Sequence, residues 1–465
     1  MTSAQAGQAL RSSFRDPAGF VLKREGVILR QVNDVYRRNY DRLVGSGLYD
    51  ALTERGLLIP HTELAASTQY GAAAYKILRP ERIPFVSYPY EWCFGQLKDA
   101  ALATLMIQRT AVEHGMSLKD GSAYNIQFIG CRPVHIDTLS FEIQAEGQPW
   151  TGYRQFCQHF LAPLALMSTV DVQHGQLSRV HIDGVPLDLA SRTLPVPTWL
   201  RPSLLLHVHL HARAQHRFRD RAVDRKRARV DRKGMLGLID HLRSAVEGLT
   251  WNPVDSIWAE YDRHNNYSDE ATEHKEALVQ RFLGMTNPRM VWDLGSNHGR
   301  FGRMAARMGA RVACLDADYS AVESNYRAGR SAGDSQVLPL VVDLNNPSPA
   351  SGWAHEERLA LIERGPADTI MALALIHHMA IGNNVPLDRI AEWLSRMGRH
   401  LIIEFVPKTD SQVQRLLAHR EDVFANYRQD EFERAFATRF RIRHAETIRG
   451  SSRVLYLMDR APNQR

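Results

Sequence analysis

Cysteine is scarce in this sequence, with four residues in a chain of 465: Cys93, Cys131, Cys157 and Cys314. They lie far apart, without a C-x-x-C pair or a histidine cluster at zinc spacing. Disulfide-stabilised scaffolds need several paired cysteines, and structural zinc sites need closely spaced ligands. The sequence therefore argues against both, and we expect the four cysteines to be packing residues.

Long apolar runs are also missing. No stretch approaches the ~18 consecutive apolar residues of a membrane span, and the first twenty residues lack the apolar core of a secretory signal. The composition, 44% hydrophobic and 23% charged, is that of a globular protein. We therefore expect a cytoplasmic protein that does not act at a membrane, and the length predicts two or three domains.

Two common nucleotide-binding motifs fail in the most distinctive stretch, VWDLGSNHGRFG at 291–302. The glycine after Gly295 is Gly299, which does not fit the G-x-G-x-x-G fingerprint of dinucleotide-binding proteins, and no G-K-[ST] follows for a P-loop. The stretch does have an apolar run that ends on Asp293 before the glycines. Glycine lets the backbone turn tightly and approach a ligand closely.

Around this stretch, predicted strands alternate with predicted helices. The apolar periodicity predicts strands at 289–295, 311–318, 336–344, 368–376 and 400–406, and helices at 269–285, 299–309, 319–330 and 387–397. Such alternation is typical of an α/β fold with a parallel sheet that is covered on both faces.

Ligands of such sheets bind beyond the carboxyl ends of the strands. Gly295 and Gly299 follow the first strand, and Asp316 ends the second, twenty-three residues after Asp293. A carboxylate at that point can accept hydrogen bonds from both hydroxyls of a ribose. The pattern predicts a nucleoside-containing cofactor, although a lone aspartate there also suits a helix cap or a turn.

The stretch resembles the first motif of class I S-adenosylmethionine-dependent methyltransferases, D-x-G-x-G-x-G, through Asp293, Gly295 and Gly299. Asn297 replaces the middle glycine, and asparagine tolerates left-handed backbone angles. The resemblance covers about 251–465, with FRIRHAETI and SRVLYLMDR similar to the antiparallel hairpin that closes the seven-stranded, Rossmann-like sheet of the family. It implies S-adenosylmethionine as cofactor and needs no metal.

The resemblance also implies which residues contact the cofactor. Asp316 falls where the family holds the ribose, Asp343 falls where it contacts the adenine amine, and Tyr267 lies in a segment that folds over the methionine end. The expected cofactor-binding residues are Asp293, Gly295, Ser296, Asn297, Gly299, Asp316, Ala317, Asp343, Leu344, Leu373 and Tyr267.

The candidate catalytic residues follow the fourth and fifth strands. His377 and His378 come after the fourth strand, where a histidine can take a proton from a hydroxyl or amine acceptor. Glu404 ends the fifth strand, where it can orient a histidine or pair with an arginine. Structural roles are equally open for both histidines. The N-P-P-Y motif of exocyclic-amine methyltransferases is absent, which disfavours methylation of nucleic-acid bases.

The first half of the chain has a different pattern. The segment 19–32 alternates like a hairpin that turns at Glu25 and Gly26. Further on, Asp120, Asn125 and Asp137 follow in the order of the catalytic aspartate, metal-binding asparagine and second metal-binding aspartate of protein kinases.

This segment resembles the core of kinase-like small-molecule phosphotransferases. The H-R-D motif and a glycine-rich loop are missing, D-F-G is replaced by D-T-L, and Lys23 and Lys76 are the candidates for the nucleotide lysine. We expect a degenerate kinase-like domain used for binding. A plain α+β accessory domain and an ATP-binding regulator or phosphotransferase remain open.

Between the halves, residues 201–233 carry eleven Lys and Arg against three Asp. The Leu–His alternation at its start suits a strand, but the rest suits a solvated linker helix with Asp–Arg pairs, which we favour over a nucleic-acid-binding face. The prediction is thus an accessory domain at 1–200, a basic linker helix at 201–250 and a methyltransferase domain at 251–465.

The whole arrangement resembles bacterial methyltransferases of the nodulation-protein type. The resulting prediction is methyl transfer from S-adenosylmethionine to an oxygen or nitrogen of a small-molecule, glycan or protein acceptor. Methylation of RNA or another nucleic acid through the basic stretch is the alternative, and strong salt dependence would reveal it. The sequence does not identify the acceptor or the oligomeric state.

Overall fold

The computed structural model describes residues 8–65, 74–217, 229–253, 268–418 and 421–462. The chain divides into two compact units. Unit 1 comprises Met1–Asn252 together with Ser351–Arg358, and unit 2 comprises Pro253–Ala350 together with Leu359–Arg465. The division into accessory domain, linker and methyltransferase domain stays a prediction.

Unit 1 begins with short strands and ends in helices. Its strands are β1 (Gln8–Ala9), β2 (Gly19–Arg24), β3 (Val27–Asn33), β4 (His61–Leu64), β5 (Ala74–Pro80), β6 (Met116–Leu118), β7 (Ile126–Ile129), β8 (Arg132–His135) and β9 (Phe141–Ile143). Its helices are α1 (Arg37–Gly45), α2 (Leu48–Glu54), α3 (Phe94–Glu113), α4 (Tyr153–Phe156), α5 (Ala162–Thr169), α6 (Leu177–Val180), α7 (Leu187–Thr193), α8 (Pro202–Leu204), α9 (His211–Arg217) and α10 (Arg232–Glu247).

An antiparallel sheet opens unit 1, in the order β1-β2-β3-β5-β4 within the described residues. The hairpin predicted at 19–32 is confirmed, with Glu25 and Gly26 at φ +49° and +82° in its turn. Two helices separate β3 from β4, and the long, mostly buried α3 follows β5.

The stretch 201–217 is helical rather than extended, so the strand interpretation of its Leu–His alternation is wrong. Residues Leu205–Leu210 form a π-helical segment in which His207 and His209 are fully buried. His207 accepts or donates hydrogen bonds with the Tyr153 hydroxyl (2.8 Å) and with His241 (2.7 Å). The conformation of this segment is therefore stabilised by buried, hydrogen-bonded histidines rather than by exposure of polar residues to solvent. Residues 218–228 of the basic stretch lie outside the described residues.

Helix α10, also predicted as part of a solvated linker, packs against α3. Arg109 of α3 pairs with Asp240 at 2.6 Å, and the Lys98 ammonium donates to the carbonyls of Glu247 and Leu249. One face of α10 is apolar and buried, including Ile239. This helix is therefore an integral part of unit 1.

Unit 2 alternates helices with strands as the sequence predicts. Its helices are α11 (Asp269–Thr286), α12 (Arg300–Arg307), α13 (Tyr319–Ser331), α14 (Leu387–Met397), α15 (Ser411–Leu417) and α16 (Gln429–Ala437). Its strands are β10 (Met290–Leu294), β11 (Arg311–Asp316), β12 (Val337–Val341), β13 (Ala367–Ala372), β14 (Gly398–Phe405), β15 (Phe440–Thr447) and β16 (Val454–Arg460).

The strands of unit 2 form a seven-stranded sheet in the order β12-β11-β10-β13-β14-β16-β15 within the described residues. The first five are parallel, and β16 and β15 run antiparallel as a closing hairpin. The predicted α/β fold, with the sheet of class I methyltransferases, is thus confirmed. Because the parallel strands share a direction, the loops after β10, β11, β12 and β13 meet at one edge.

Close packing of α12 against β11 depends on a glycine. A Cβ on Gly302 would overlap the Cys314 sulfur and lie 3.2 Å from Asp293 Oδ2. Cys314 is buried, as are Cys93, Cys131 and Cys157, so the expectation that the cysteines are packing residues is confirmed. No helix in the described ranges is long and apolar enough to cross a bilayer.

Gly302→Ala is therefore expected to lower the free energy of unfolding by about 1–3 kcal/mol through overpacking. Gly284→Ala is the matched control, since Gly284 is an exposed helical residue whose added Cβ meets only the end of Met308 at 3.9 Å. The control should gain up to about 1 kcal/mol in helix propensity. Urea unfolding checks both variants, and equal effects would contradict the packing argument.

Candidate active site

A cavity of about 460 Å³ lies at the carboxyl ends of β10 to β13, entirely within unit 2. This volume is typical of sites for small molecules and cofactors. Ten of the residues predicted from the sequence line it: Asp293, Gly295, Ser296, Asn297, Asp316, Ala317, Asp343, Leu344, Leu373 and His378. The sheet edge therefore brings together residues from four separate strand ends.

The loop after β10 forms one wall through left-handed backbone angles. Gly295, Asn297 and Gly299 have φ of +68°, +47° and +75°. Asn297 thus takes the conformation that allows it to replace the middle glycine of the motif. Its backbone N–H donates to Asp316 Oδ2 at 2.7 Å, which fixes the loop to the end of β11. Gly299 does not line the cavity; it caps α12, and a Cβ there would collide with Asn325.

The two aspartates expected to contact the nucleoside both reach the cavity. Besides Asn297, Asp316 accepts a hydrogen bond from the backbone of Asp318 at 2.9 Å. Burial raises the pKa of Asp316 above its ordinary value. Asp343, after β12, accepts from the backbone of Asn345 at 2.8 Å. Both carboxylates are therefore held in position by backbone donors beside the cavity.

Asp293 is the most deeply buried acidic group in the cavity wall. Only 3% of it is exposed, and its Oδ2 has no hydrogen-bond partner among the described residues. Burial, followed by the negative charge of Asp316, raises the pKa of Asp293 to about 7. This oxygen lies beside Gly302 of α12, since a Cβ there would come within 3.2 Å of it.

Four charged residues that the sequence analysis did not bring together form a buried ion network beside the cavity. Lys275 of α11 contacts Glu404 Oε2 at 2.6 Å, and Arg453 contacts Glu404 Oε1 at 3.2 Å and Asp410 Oδ2 at 2.7 Å. Lys275 and Arg453 line the cavity, whereas Glu404 does not. The network therefore presents positive charge to the cavity.

The position of Lys275 did carry a signal in the sequence. Lys275 lies on the same helical face as the apolar residues Ala271, Leu278 and Phe282, where a lysine is out of pattern. A charged residue on an apolar face implies a buried partner, although the sequence does not say which. Arg453 immediately precedes the buried strand β16. That position is the only sign in the sequence that Arg453 is buried, and it is a weak one.

Of the candidate catalytic residues, His378 alone reaches the cavity. Burial, followed by the charge of Arg453, lowers the pKa of His378 to about 4, so it is neutral at pH 7. His377 is fully buried outside the cavity lining, and burial holds its pKa well below the ordinary value. Glu404 pairs with Arg453, one of its two predicted roles. Catalytic roles for these three residues stay predictions, and Tyr267 lies outside the described residues.

Comparison with known proteins assigns the whole chain to a family. Over 458 residues, the chain is 34% identical to nodulation protein NoeA of Rhizobium meliloti (strain 1021), covering 97% of this chain and 95% of that protein. The chain belongs to the NoeA family. The resemblance to the nodulation-protein group is thereby confirmed. No model of a known protein family matches the chain.

Solved structures give weaker matches to this NoeA-family chain. Magnesium protoporphyrin IX methyltransferase (ChlM) from Synechocystis PCC 6803 with bound SAM has a TM-score of 0.30 and 14% identity, over 44% of this chain and 90% of that one. N-methyltransferase NodS from Bradyrhizobium japonicum WM9 has a TM-score of 0.31 and 11% identity, over 42% and 99%. The bifunctional kinase-methyltransferase WbdD has a TM-score of 0.30 and 17% identity, over 43% and 41%.

Glu404→Gln should strongly destabilise unit 2 of the NoeA-family chain, because it leaves Lys275 and Arg453 with a single buried carboxylate. We expect a loss of about 3–5 kcal/mol in the free energy of unfolding, measured in urea. Glu446→Gln is the control, since its pair with Arg281 (2.7 Å) is half-exposed and should be worth less than about 1 kcal/mol. Similar losses in both variants would argue against the network.

Asp293 should also make stability depend on pH. Its pKa is about 7 in the folded chain and about 4 in an unfolded chain, so the unfolded state releases the proton first as the pH rises. The contribution of Asp293 to the free energy of unfolding therefore falls between pH 4 and 7, by at most about 1.4 kcal/mol per pH unit, and is constant above.

Asp293→Asn lacks this contribution. Urea unfolding at pH 4.5, 6 and 8 should show the wild type losing stability relative to the variant as the pH rises. A stability difference between the two proteins that stays constant across the three pH values would refute the raised pKa.

Proposed function

We propose that unit 2 transfers a methyl group from S-adenosylmethionine to an oxygen or nitrogen atom of a small-molecule, glycan or protein acceptor. The observation that carries this proposal is the cavity, which collects Gly295, Asp316 and Asp343 at the strand ends where class I methyltransferases bind their cofactor. The order of the strands alone would not support a methyltransferase assignment, because one fold supports many activities.

The residues of the cavity suit this cofactor. We assign Asp316 to the ribose hydroxyls and Asp343 to the adenine amine. At Gly295, φ is +68° and a Cβ would lie 3.1 Å from Leu375, so a side chain there would strain the loop and press on Leu375. When bound, the cofactor supplies a sulfonium whose methyl group is already activated for transfer.

The chain itself then has to bind and orient the acceptor and exclude water. His378 and His298 both line the cavity, and Met379 and Asn383 line it from the same segment as His378. With a pKa of about 4, His378 stays neutral at pH 7 and can accept a hydrogen bond from an acceptor hydroxyl or amine. It is a weak base at that pKa, so we assign it to orienting the acceptor rather than to carrying a proton away.

Asp316→Asn tests the cofactor assignment. In calorimetric titration, the wild-type chain should bind S-adenosylmethionine and S-adenosylhomocysteine with micromolar affinity. The variant should bind both at least about tenfold more weakly, since charge-assisted hydrogen bonds contribute about 1.5–3 kcal/mol.

Asp334→Asn is the matched control. Asp334 also accepts two backbone hydrogen bonds, from Gln336 and Val337, but it precedes β12 and so lies at the opposite sheet edge. The Asp334→Asn variant should bind the cofactor with the same affinity as the wild type. Absence of binding by the wild type, or equal weakening in both variants, would count against the proposal.

A further inference from the structure

Unit 1 brings together the residues that resemble the metal site of a kinase. The Asn125 amide donates to the Ser140 hydroxyl at 3.2 Å, and that hydroxyl donates to Asp137 Oδ2 at 2.6 Å. Asn125 precedes β7 and Asp137 follows β8, so the β7–β8 hairpin places them side by side. In protein kinases, the equivalent asparagine and aspartate hold magnesium beneath the phosphates of ATP.

A basic residue occupies the position where that metal would be needed. Arg30, on the central strand β3, forms an ion pair with Asp137 Oδ1, and both side chains are about six-sevenths buried. The same oxygen accepts the Leu139 backbone N–H at 3.0 Å. Although burial alone would raise it, the charge of Arg30 holds the pKa of Asp137 below its ordinary value.

Neither of the lysines suggested by the sequence reaches this site. Lys76, on β5, pairs with Glu63 of the edge strand β4 at 2.5 Å, and Lys23 is exposed on β2. Arg30 lies on the third strand, which is the strand that carries the nucleotide lysine in kinases. Its guanidinium contacts Asp137, however, and so is not free to bind a phosphate.

These residues do not fit a divalent cation. Magnesium needs six oxygen ligands in near-octahedral geometry at about 2.0–2.1 Å. Here one oxygen of Asp137 is covered by a guanidinium and a backbone N–H, and the other accepts a hydroxyl proton. A metal ion at this carboxylate would also face the positive charge of Arg30 at short range.

A second arginine contacts the residue that precedes Asn125. Arg358, in the segment Ser351–Arg358 that belongs to unit 1, places its guanidinium 4.1 Å from the ring centre of Tyr124. Tyr124 immediately precedes Asn125. The segment is further held by ion pairs from Arg11 to Glu356 at 2.5 Å and from Arg15 to Glu357. The side chain next to Asn125 in the chain is thus covered by an arginine of unit 1 itself.

We propose that Arg30 has replaced the metal of a kinase-like site as a permanent internal cation, so that unit 1 binds neither magnesium nor magnesium–ATP. The guanidinium neutralises Asp137 and links β3 to the segment after β8, which a metal and nucleotide would otherwise connect. Unit 1 is then a module that stays assembled without nucleotide, and phosphoryl transfer is not among its activities.

Thermal unfolding of the full chain tests the proposal with three probes: magnesium chloride, ATP, and both together. The melting temperature of the wild type should change by less than about 1 °C at millimolar concentrations, because ligands that do not bind the folded state do not stabilise it. A rise of about 3 °C or more with magnesium–ATP that disappears in Asp137→Asn would overturn the proposal.

Arg30→Ala supplies the converse test. It leaves Asp137 without its counter-ion, so its melting temperature should fall, and magnesium chloride alone should restore part of that fall by binding the uncovered carboxylate. The double variant Arg30→Ala/Asp137→Asn should show no response to magnesium. Lys76→Ala, which breaks a partly exposed ion pair of the same sheet, should also show none.

A folded Arg30→Ala protein that does not respond to magnesium would refute the idea that the guanidinium stands in for a metal. The comparison of the wild type with Asp137→Asn decides the nucleotide claim, even where Arg30→Ala does not fold. ATP carries the adenosine that the cavity of unit 2 is proposed to bind, so a response to ATP that persists in Asp137→Asn belongs to unit 2. Failure of this proposal is therefore distinguishable from failure of the methyltransferase assignment.

Discussion

The burial of Glu404 constrains the whole of unit 2. This carboxylate sits at the end of β14, in the interior of the sheet, with no exposed surface. An ionised group there is tolerable only with opposite charges at contact distance. Lys275 arrives from α11, Arg453 from the start of β16, and Asp410, which caps α15, completes the network. One buried charge thereby fixes the helix before the sheet, the closing hairpin and a surface helix.

Most of unit 2 was predictable because the strands and helices each satisfy a simple periodic pattern. The buried parallel strands are continuous apolar runs, and α14 was located at 387–397 from its amphipathic spacing alone. The loop after β10 was predictable for another reason: its glycines and Asn297 are the residue types that accept left-handed angles. Local chemistry thus determined both the helices and strands and the loop after β10.

What the sequence could not reveal are pairings between charges that lie far apart along the chain. Glu404 was predicted near the site, but nothing local connects it with Lys275 or Arg453, because only the folded sheet brings them within 4 Å. In unit 1, Arg30 was overlooked in favour of two lysines for the same reason. Helical burial of His207 and His209 likewise depends on partners such as Tyr153, which no periodicity identifies.

All four thiols are buried, so the rate at which a thiol reagent modifies them measures how often the folded chain opens locally. Reagents attack the thiolate, and burial raises the pKa of the Cys157 thiol to about 12, so modification requires a local opening that admits solvent. Three of the thiols belong to unit 1 and one, Cys314, to unit 2. Their labelling rates therefore measure the local opening of each unit separately. A cysteine introduced on the surface would react much faster than any native one.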